Sequence, residues 1–175
     1  MNSKCRTLVV AHGKSEIELC MRIAALAHVD VEFVSSNGGE NTICLLMLNR
    51  MFSEAPFTSD YALHQAYPNL EYRGRAKDSL PGLEIFTIMD IDGDTANKKS
   101  YMTGNMFAGC HFAKRIHPIY SDDNLDQVMM DIGYGDVKVK KIHTYFNICH
   151  EIRDLKDLHQ RLVACERTNL DEFVL

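Results

Sequence analysis

Three carboxylates stand at alternate positions near the middle of the chain: Asp90, Asp92 and Asp94, in the stretch Phe86-Thr87-Ile88-Met89-Asp90-Ile91-Asp92-Gly93-Asp94. They follow a mostly apolar run, Leu83 to Met89, which reads as a buried strand of a parallel sheet. The acids then fall where that strand ends and a loop begins. In open α/β sheets this carboxyl edge is where ligands bind. Three such close carboxylates repel one another at neutral pH, and a bound divalent cation is the simplest way to keep all of them ionised. Oxygen ligands alone favour a hard ion, Mg²⁺ or Mn²⁺.

Other readings compete for the same residues. Asp-x-Asp-x-Asp matches the first half of an EF-hand loop, but the turn position is Thr95 where that loop needs Gly, and the closing position is Tyr101 where it needs Glu. A haloacid-dehalogenase-type phosphatase begins with a strand and Asp-x-Asp-Gly-Thr. Here Asp94 takes the Thr position, and the strand lies in mid-chain. The plainest reading is a polar turn after a strand, because Asp and Gly are common turn residues.

The elements that would position these acids alternate along the chain. Arg6 to Ala11 reads as a first strand, and His12-Gly13-Lys14 as a tight turn. A helix begins at Ser15 with Glu18 as its capping-box acid, and Leu19, Ile23, Leu26 and Ala27 form its apolar face. Val29 to Val34 is a second strand, nearer an edge because it mixes acids with apolar residues. A helix over about Glu40 to Ser53 would bury Ile43, Leu46, Met47 and Met51. The stretch Glu54 to Pro81 contains three of the four prolines, the basic residues Arg73, Arg75 and Lys77, and a short helix at Tyr61 to Ala66. Leu83 to Met89 is the third strand. A polar stretch to Ser100 and a helix from Met102 to Phe107 follow. Arg115 to Tyr120 is a fourth strand, and Pro118 places it at an edge or a strand end. Ser121 or Asp122 caps a helix through Leu125, Val128, Met129 and Ile132, which Gly133 stops. From Val137 onward the pattern is mostly helical, with Leu155, Leu158, Leu162 and Val163 at helical spacing.

This order predicts an α/β fold: a mainly parallel four-stranded sheet with helices on both faces. Residues 1–135 form the α/β domain, and 136–175 a helical C-terminal extension packed on the same core. The ends of strands one and three then share the carboxyl edge, so His12 and Asp90 could meet.

With 175 residues, 46% hydrophobic and 25% charged, the chain is suited to one globular domain with a real core. The net charge of −5 argues against a surface that coats nucleic acid broadly. It leaves room for a local basic patch. No apolar run approaches the roughly 20 residues of a membrane span, and the run Leu8 to Ala11 is too short for a signal peptide. The cysteines at 5, 20, 44, 110, 149 and 165 include no Cys-x-x-Cys pair. Cys5, Cys20 and Cys44 read as buried thiols, which points to the reducing cytoplasm. Cys110-His111 and Cys149-His150 are adjacent pairs that do not share a helix face. His143 and His150 share one but lack a third ligand.

Two stretches together resemble Toprim domains. Val9-Val10-Ala11-His12-Gly13-Lys14-Ser15-Glu16 resembles their opening motif, an apolar strand followed by Glu-Gly and a link into a helix. Ile88-Met89-Asp90-Ile91-Asp92 resembles their second, a strand ending in Asp-x-Asp. Ile119-Tyr120 and Asn124-Leu125-Asp126-Gln127-Val128 resemble a later segment of small stand-alone prokaryotic Toprim-like proteins. The likeness covers roughly residues 4 to 133.

The resemblance implies Mg²⁺- or Mn²⁺-dependent phosphodiester chemistry on nucleic acid, in prokaryotic or phage nucleic-acid processing or defence. Asp90 and Asp92 take the family's metal positions, with Asp94 assisting. The family glutamate falls on His12. Histidine can act as a base or bind Mn²⁺, but it supplies no negative charge, and beside three acids it tends to be protonated, opposing a cation. The site therefore uses another metal, uses Glu16 instead, or has lost catalysis. In the active reading, His12 or Glu16 manages the proton and Lys14 places the phosphate. Asp126 is an outlying acid, and Lys98, Lys99, Lys114, Arg115, Lys138, Lys140 and Lys141 form a phosphate-binding rim. The alternative is an inactive Toprim-like module that binds a nucleotide, nucleic acid or protein partner. A weaker reading is a phosphatase with Asp90 as nucleophile. The family's habit of working as a dimer or beside a partner domain implies a homodimer or protein partner.

Overall fold

The computed structural model describes residues 4–74, 79–91, 95–134 and 148–174. Apolar and β-branched runs become four strands: β1 (Thr7–Ala11), β2 (Val31–Val34), β3 (Glu84–Asp90) and β4 (Ile116–Ser121). Between and after them run α1 (Lys14–Ala27), α2 (Leu45–Ser53), α3 (Asp60–Ala66), α4 (Thr95–Met102), α5 (Leu125–Asp131), α6 (Leu155–Val163) and α7 (Asp171–Val174).

The strands form one parallel sheet in the order β2-β1-β3-β4. From β1 the chain steps outward to β2, then crosses back to β3 and continues to β4. The direction reverses between β1 and β3, whose register pairs Ala11 with Ile88. Right-handed crossovers then require helices on both faces, and two buried clusters lie there. Leu8, Val10, Ile85 and Met89 pack with Leu45, Leu48, Phe52, Leu63 and Tyr101 of α2, α3 and α4. Val9, Ala11, Ile88 and Ile119 pack with Leu19, Ile23, Leu125, Val128, Leu158 and Leu162 of α1, α5 and α6. Ile148, Cys149 and Ile152 belong to the second cluster, and the Arg22 guanidinium fastens that segment by donating twice to the Ile152 carbonyl, at 2.9 and 2.6 Å.

Both edge strands are those expected from their sequence. β2 carries Glu32, and β4 carries Pro118. The outer side of β4 is covered by the C-terminal segment: Thr168 Oγ1 donates to Tyr120 O at 2.6 Å, and Asn169 both donates to Pro118 O at 3.0 Å and accepts from Tyr120 N–H at 2.8 Å. An edge closed in this way offers fewer bare backbone groups to another chain.

Five expectations are corrected. In α2 the buried residues are Leu45, Leu48 and Phe52, while Leu46 and Met47 are exposed. Residues 40–44 are not helical, because Ser36 bridges Asn41 and Ile43 is tied to His12. The polar stretch after Asp94 is itself a helix, α4, and Gly104 at φ 72° opens a single 3₁₀ turn where a longer helix was expected. Cys44 is exposed at the start of α2, whereas Cys5 and Cys20 are buried. The cap of α5 is Asn124, whose side chain accepts from Gln127 N–H, rather than Ser121 or Asp122.

Tyr101 anchors α4 to the sheet. Its fully buried hydroxyl lies 2.9 Å from Thr87 Oγ1, 2.7 Å from Thr87 O and 2.8 Å from Ile119 O. Burial pushes this phenol far above its ordinary value, so it stays neutral and donates. Tyr101→Phe would strand the buried Thr87 hydroxyl and is expected to destabilise the protein by about 1–3 kcal/mol. Urea unfolding of the two proteins checks this.

Candidate active site

A cleft of about 200 Å³ opens at the carboxyl edge of the sheet, lined by His12, Gly13, Lys14, Ser15, Glu16, Gly39, Thr42, Asp90, Asn124, Leu125 and Asp126. His12 leaves the end of β1 and Asp90 ends β3, so the cleft sits where the strand order reverses. That crevice is the ordinary ligand site of an open α/β sheet.

His12 is fixed on both sides. Its N–H donates to Ile88 O at 2.9 Å, and its carbonyl accepts from Ile43 N–H at 2.9 Å. Its ring Nδ1 lies 2.9 Å from Ile43 O. A carbonyl can only accept, so Nδ1 carries a proton, and when the ring is neutral its lone pair is on Nε2. A backbone carbonyl on one imidazole nitrogen is the usual way of orienting the other toward a metal or a proton.

Glu16 is only 3% exposed. Helix α1 starts at Lys14 with the extended Gly13 as its cap residue, and the Glu16 carboxylate reaches back to accept from Gly13 N–H at 2.8 Å. The capping acid is thus Glu16 and not Glu18, because the cap is Gly13, two residues before Ser15. Glu18 Oε2 is instead buried without a partner among the described residues. Burial pushes the Glu16 carboxyl above its ordinary value of 4.5, and the charge of Asp126 acts the same way. The backbone N–H groups and His12 pull it down.

Asp90 Oδ1 accepts from Leu125 N–H at 3.1 Å, which ties the end of β3 to the start of α5. Asp126, in the first turn of α5, lines the same cleft and has a carboxyl raised by desolvation. Lys14 is the cationic side chain among the described residues of the lining, and it is exposed. The structure therefore brings together His12, Lys14, Glu16, Asp90 and Asp126. Asp92 and Asp94 lie outside the described residues.

Of the expected rim of cations, the described members do not line this cleft. Lys98 is paired with Asp122 at 2.6 Å. Lys114 and Arg115 precede β4, at the opposite end of the sheet, where Arg115 donates to Leu80 O at 2.7 Å. Lys138, Lys140, Lys141 and His143 lie outside the described residues.

Gly39, Thr42 and Asn124 escaped the sequence reading as site residues. Gly39 has φ +89°, and a Cβ there would stand 2.8 Å from Ile17 Cδ1 and 3.0 Å from Lys14 N and Cα. The loop can close on the start of α1 only with glycine. Gly39→Ala is expected to lower stability by roughly 1–3 kcal/mol, seen as a lower unfolding midpoint. Of the three, only Asn124 left a trace in sequence, as a good capping residue before an apolar helix.

Among the described residues no three His, Cys, Asp or Glu side chains converge as a ready metal cluster. The donor set still suits Mg²⁺, which keeps several waters and takes one or two carboxylates plus substrate phosphates. Asp90 supplies such an anchor, and His12 Nε2 adds a donor suited to Mn²⁺.

Fold and cleft together define an α/β protein with a four-stranded parallel sheet and a polar cleft at its strand switch point. No family model, curated protein or solved structure matches the chain. No helix among the described residues is long and apolar enough to cross a membrane.

Proposed function

We propose that the chain is a Toprim-like, divalent-metal-dependent phosphodiesterase acting on nucleic acid. One observation carries the reading. His12 and Asp90, far apart in sequence and matched to the two Toprim-like motifs, line one cleft at the switch point together with the buried Glu16.

In this reading Glu16 supplies the acid that His12 cannot. The metal, when bound, lowers the pKa of a water and offsets the charge that builds on the phosphate. Asp90 would hold it, with Asp92 joining and Asp94 assisting. Water oxygen attacks phosphorus and the P–O ester bond breaks. Glu16, whose carboxyl burial raises above its ordinary value, or His12 through Nε2, takes the water's proton and returns one to the leaving oxygen. Lys14 places the phosphate. A prokaryotic or phage nucleic-acid processing or defence role follows only by analogy of fold.

The test is cleavage of single- and double-stranded DNA and RNA oligonucleotides with Mg²⁺, Mn²⁺ or EDTA, beside His12→Glu. Cleavage that needs metal supports the reading. No cleavage of any substrate by either protein overturns it. If only His12→Glu cleaves, the natural chain is a binding module that has lost hydrolysis.

A further inference from the structure

We propose that Asn124 is a substrate-contacting residue of this cleft, donating from its amide Nδ2 to a non-bridging oxygen of the bound phosphodiester. The proposal rests on the phosphodiester reading given above. Three observations lead to it. Asn124 lines the cleft with His12, Glu16 and Asp90. Its Oδ1 accepts from Gln127 N–H at 2.9 Å, and because an N–H must meet an acceptor, this contact assigns the amide oxygen to the helix and leaves Nδ2 as the other half of the group. No described residue accepts a hydrogen bond from that Nδ2. Finally, the next residue places its N–H on Asp90 at 3.1 Å, so Asn124 is held beside the carboxylate proposed to anchor the metal.

The chemistry of the lining gives the amide its use. Asp90, Glu16 and Asp126 are acidic, so an anionic phosphate entering the cleft needs donors that those acids will not capture as ion pairs. Lys14 is one cation, exposed at the cleft. A neutral amide, its other end locked by the cap, gives a donor of fixed direction at little entropic cost.

The cap itself provides a clean control. Serine caps helices about as well as asparagine, but its one donor is the hydroxyl that itself sits at the cap, and it has no separate amide nitrogen to reach further into the cleft. Asn124→Ser should therefore unfold at the midpoint of the natural protein, keep the same Mn²⁺ concentration for half-maximal cleavage, and lose about 10- to 100-fold in kcat/KM, the usual worth of a hydrogen bond to a charged group. Asn124→Ala should lose both the cap and the activity. The experiment is steady-state cleavage of a fluorescent oligonucleotide by the three proteins in Mn²⁺, with thermal unfolding of each. If Asn124→Ser cleaves as the natural protein does, Asn124 is a helix cap only and the proposal fails while the phosphodiester reading stands. If the natural protein cleaves nothing, that reading fails and this proposal falls with it.

Discussion

Glu16→Gln is expected to lower cleavage by about 10²–10⁴-fold, the usual contribution of a positioned general acid or base, while leaving the fold intact. Glutamine is isosteric, and its side-chain oxygen can still accept from Gly13 N–H, the 2.8 Å contact that caps α1. What disappears is the proton that the carboxyl exchanges. The same substitution has a signature in stability. Burial raises the Glu16 carboxyl above 4.5, so folding favours its protonated form. Its contribution is fully present below the unfolded value and is lost as pH rises through the raised folded value. The natural protein should therefore lose stability relative to Glu16→Gln as pH climbs upward from about 4.5. His12 and Asp126, whose charges act on Glu16, line the same cleft, so the difference between the two curves reads Glu16 together with its coupling to them. Urea unfolding in EDTA across that range reads it. A constant difference would show that the carboxyl is not desolvated as its 3% exposure requires.

Asp90→Asn is expected to reduce cleavage by more than about 100-fold, since even groups that only support a metal's ligands typically account for 10–100-fold. The amide oxygen of Asn can still accept from Leu125 N–H, so the tie between β3 and α5 is kept and the unfolding midpoint should change little. Loss of cleavage with the midpoint preserved assigns Asp90 to the chemistry. Loss of both would mean that its charge serves the fold. Cleavage assays on purified variants, paired with thermal melts, separate the two.

The sheet was legible because its strands are short β-branched and apolar runs, and because Glu32 and Pro118 mark the edges. The meeting of His12 with Asp90 followed from parallel topology alone: both stand at strand ends, and all such ends share one edge. The helices were less legible for definite reasons. In Leu45-Leu46-Met47-Leu48 every position is apolar, so the pattern does not say which side is buried: Leu45 and Leu48 are buried, whereas Leu46 and Met47 are exposed. In α4 the residues Thr95 to Met102 carry almost no apolar stripe; one buried tyrosine, Tyr101, holds the helix. Glu16 was placed in the first turn, but its burial against Gly13 depends on the helix starting at Lys14 and on the Gly39 loop closing over it. Both depend on contacts between segments distant in sequence, where a pattern of types is silent. The described part of the basic rim is divided for a related reason, because Lys98 and Arg115 lie toward opposite ends of the sheet.

The most direct measurement is a Mn²⁺ titration followed by electron paramagnetic resonance, on the natural protein and on Asp90→Asn, without nucleic acid. The account predicts that the natural protein quenches the free-ion signal at one site and that Asp90→Asn does not. An undiminished free-ion signal in the presence of excess natural protein, or equal quenching by both proteins, would contradict it.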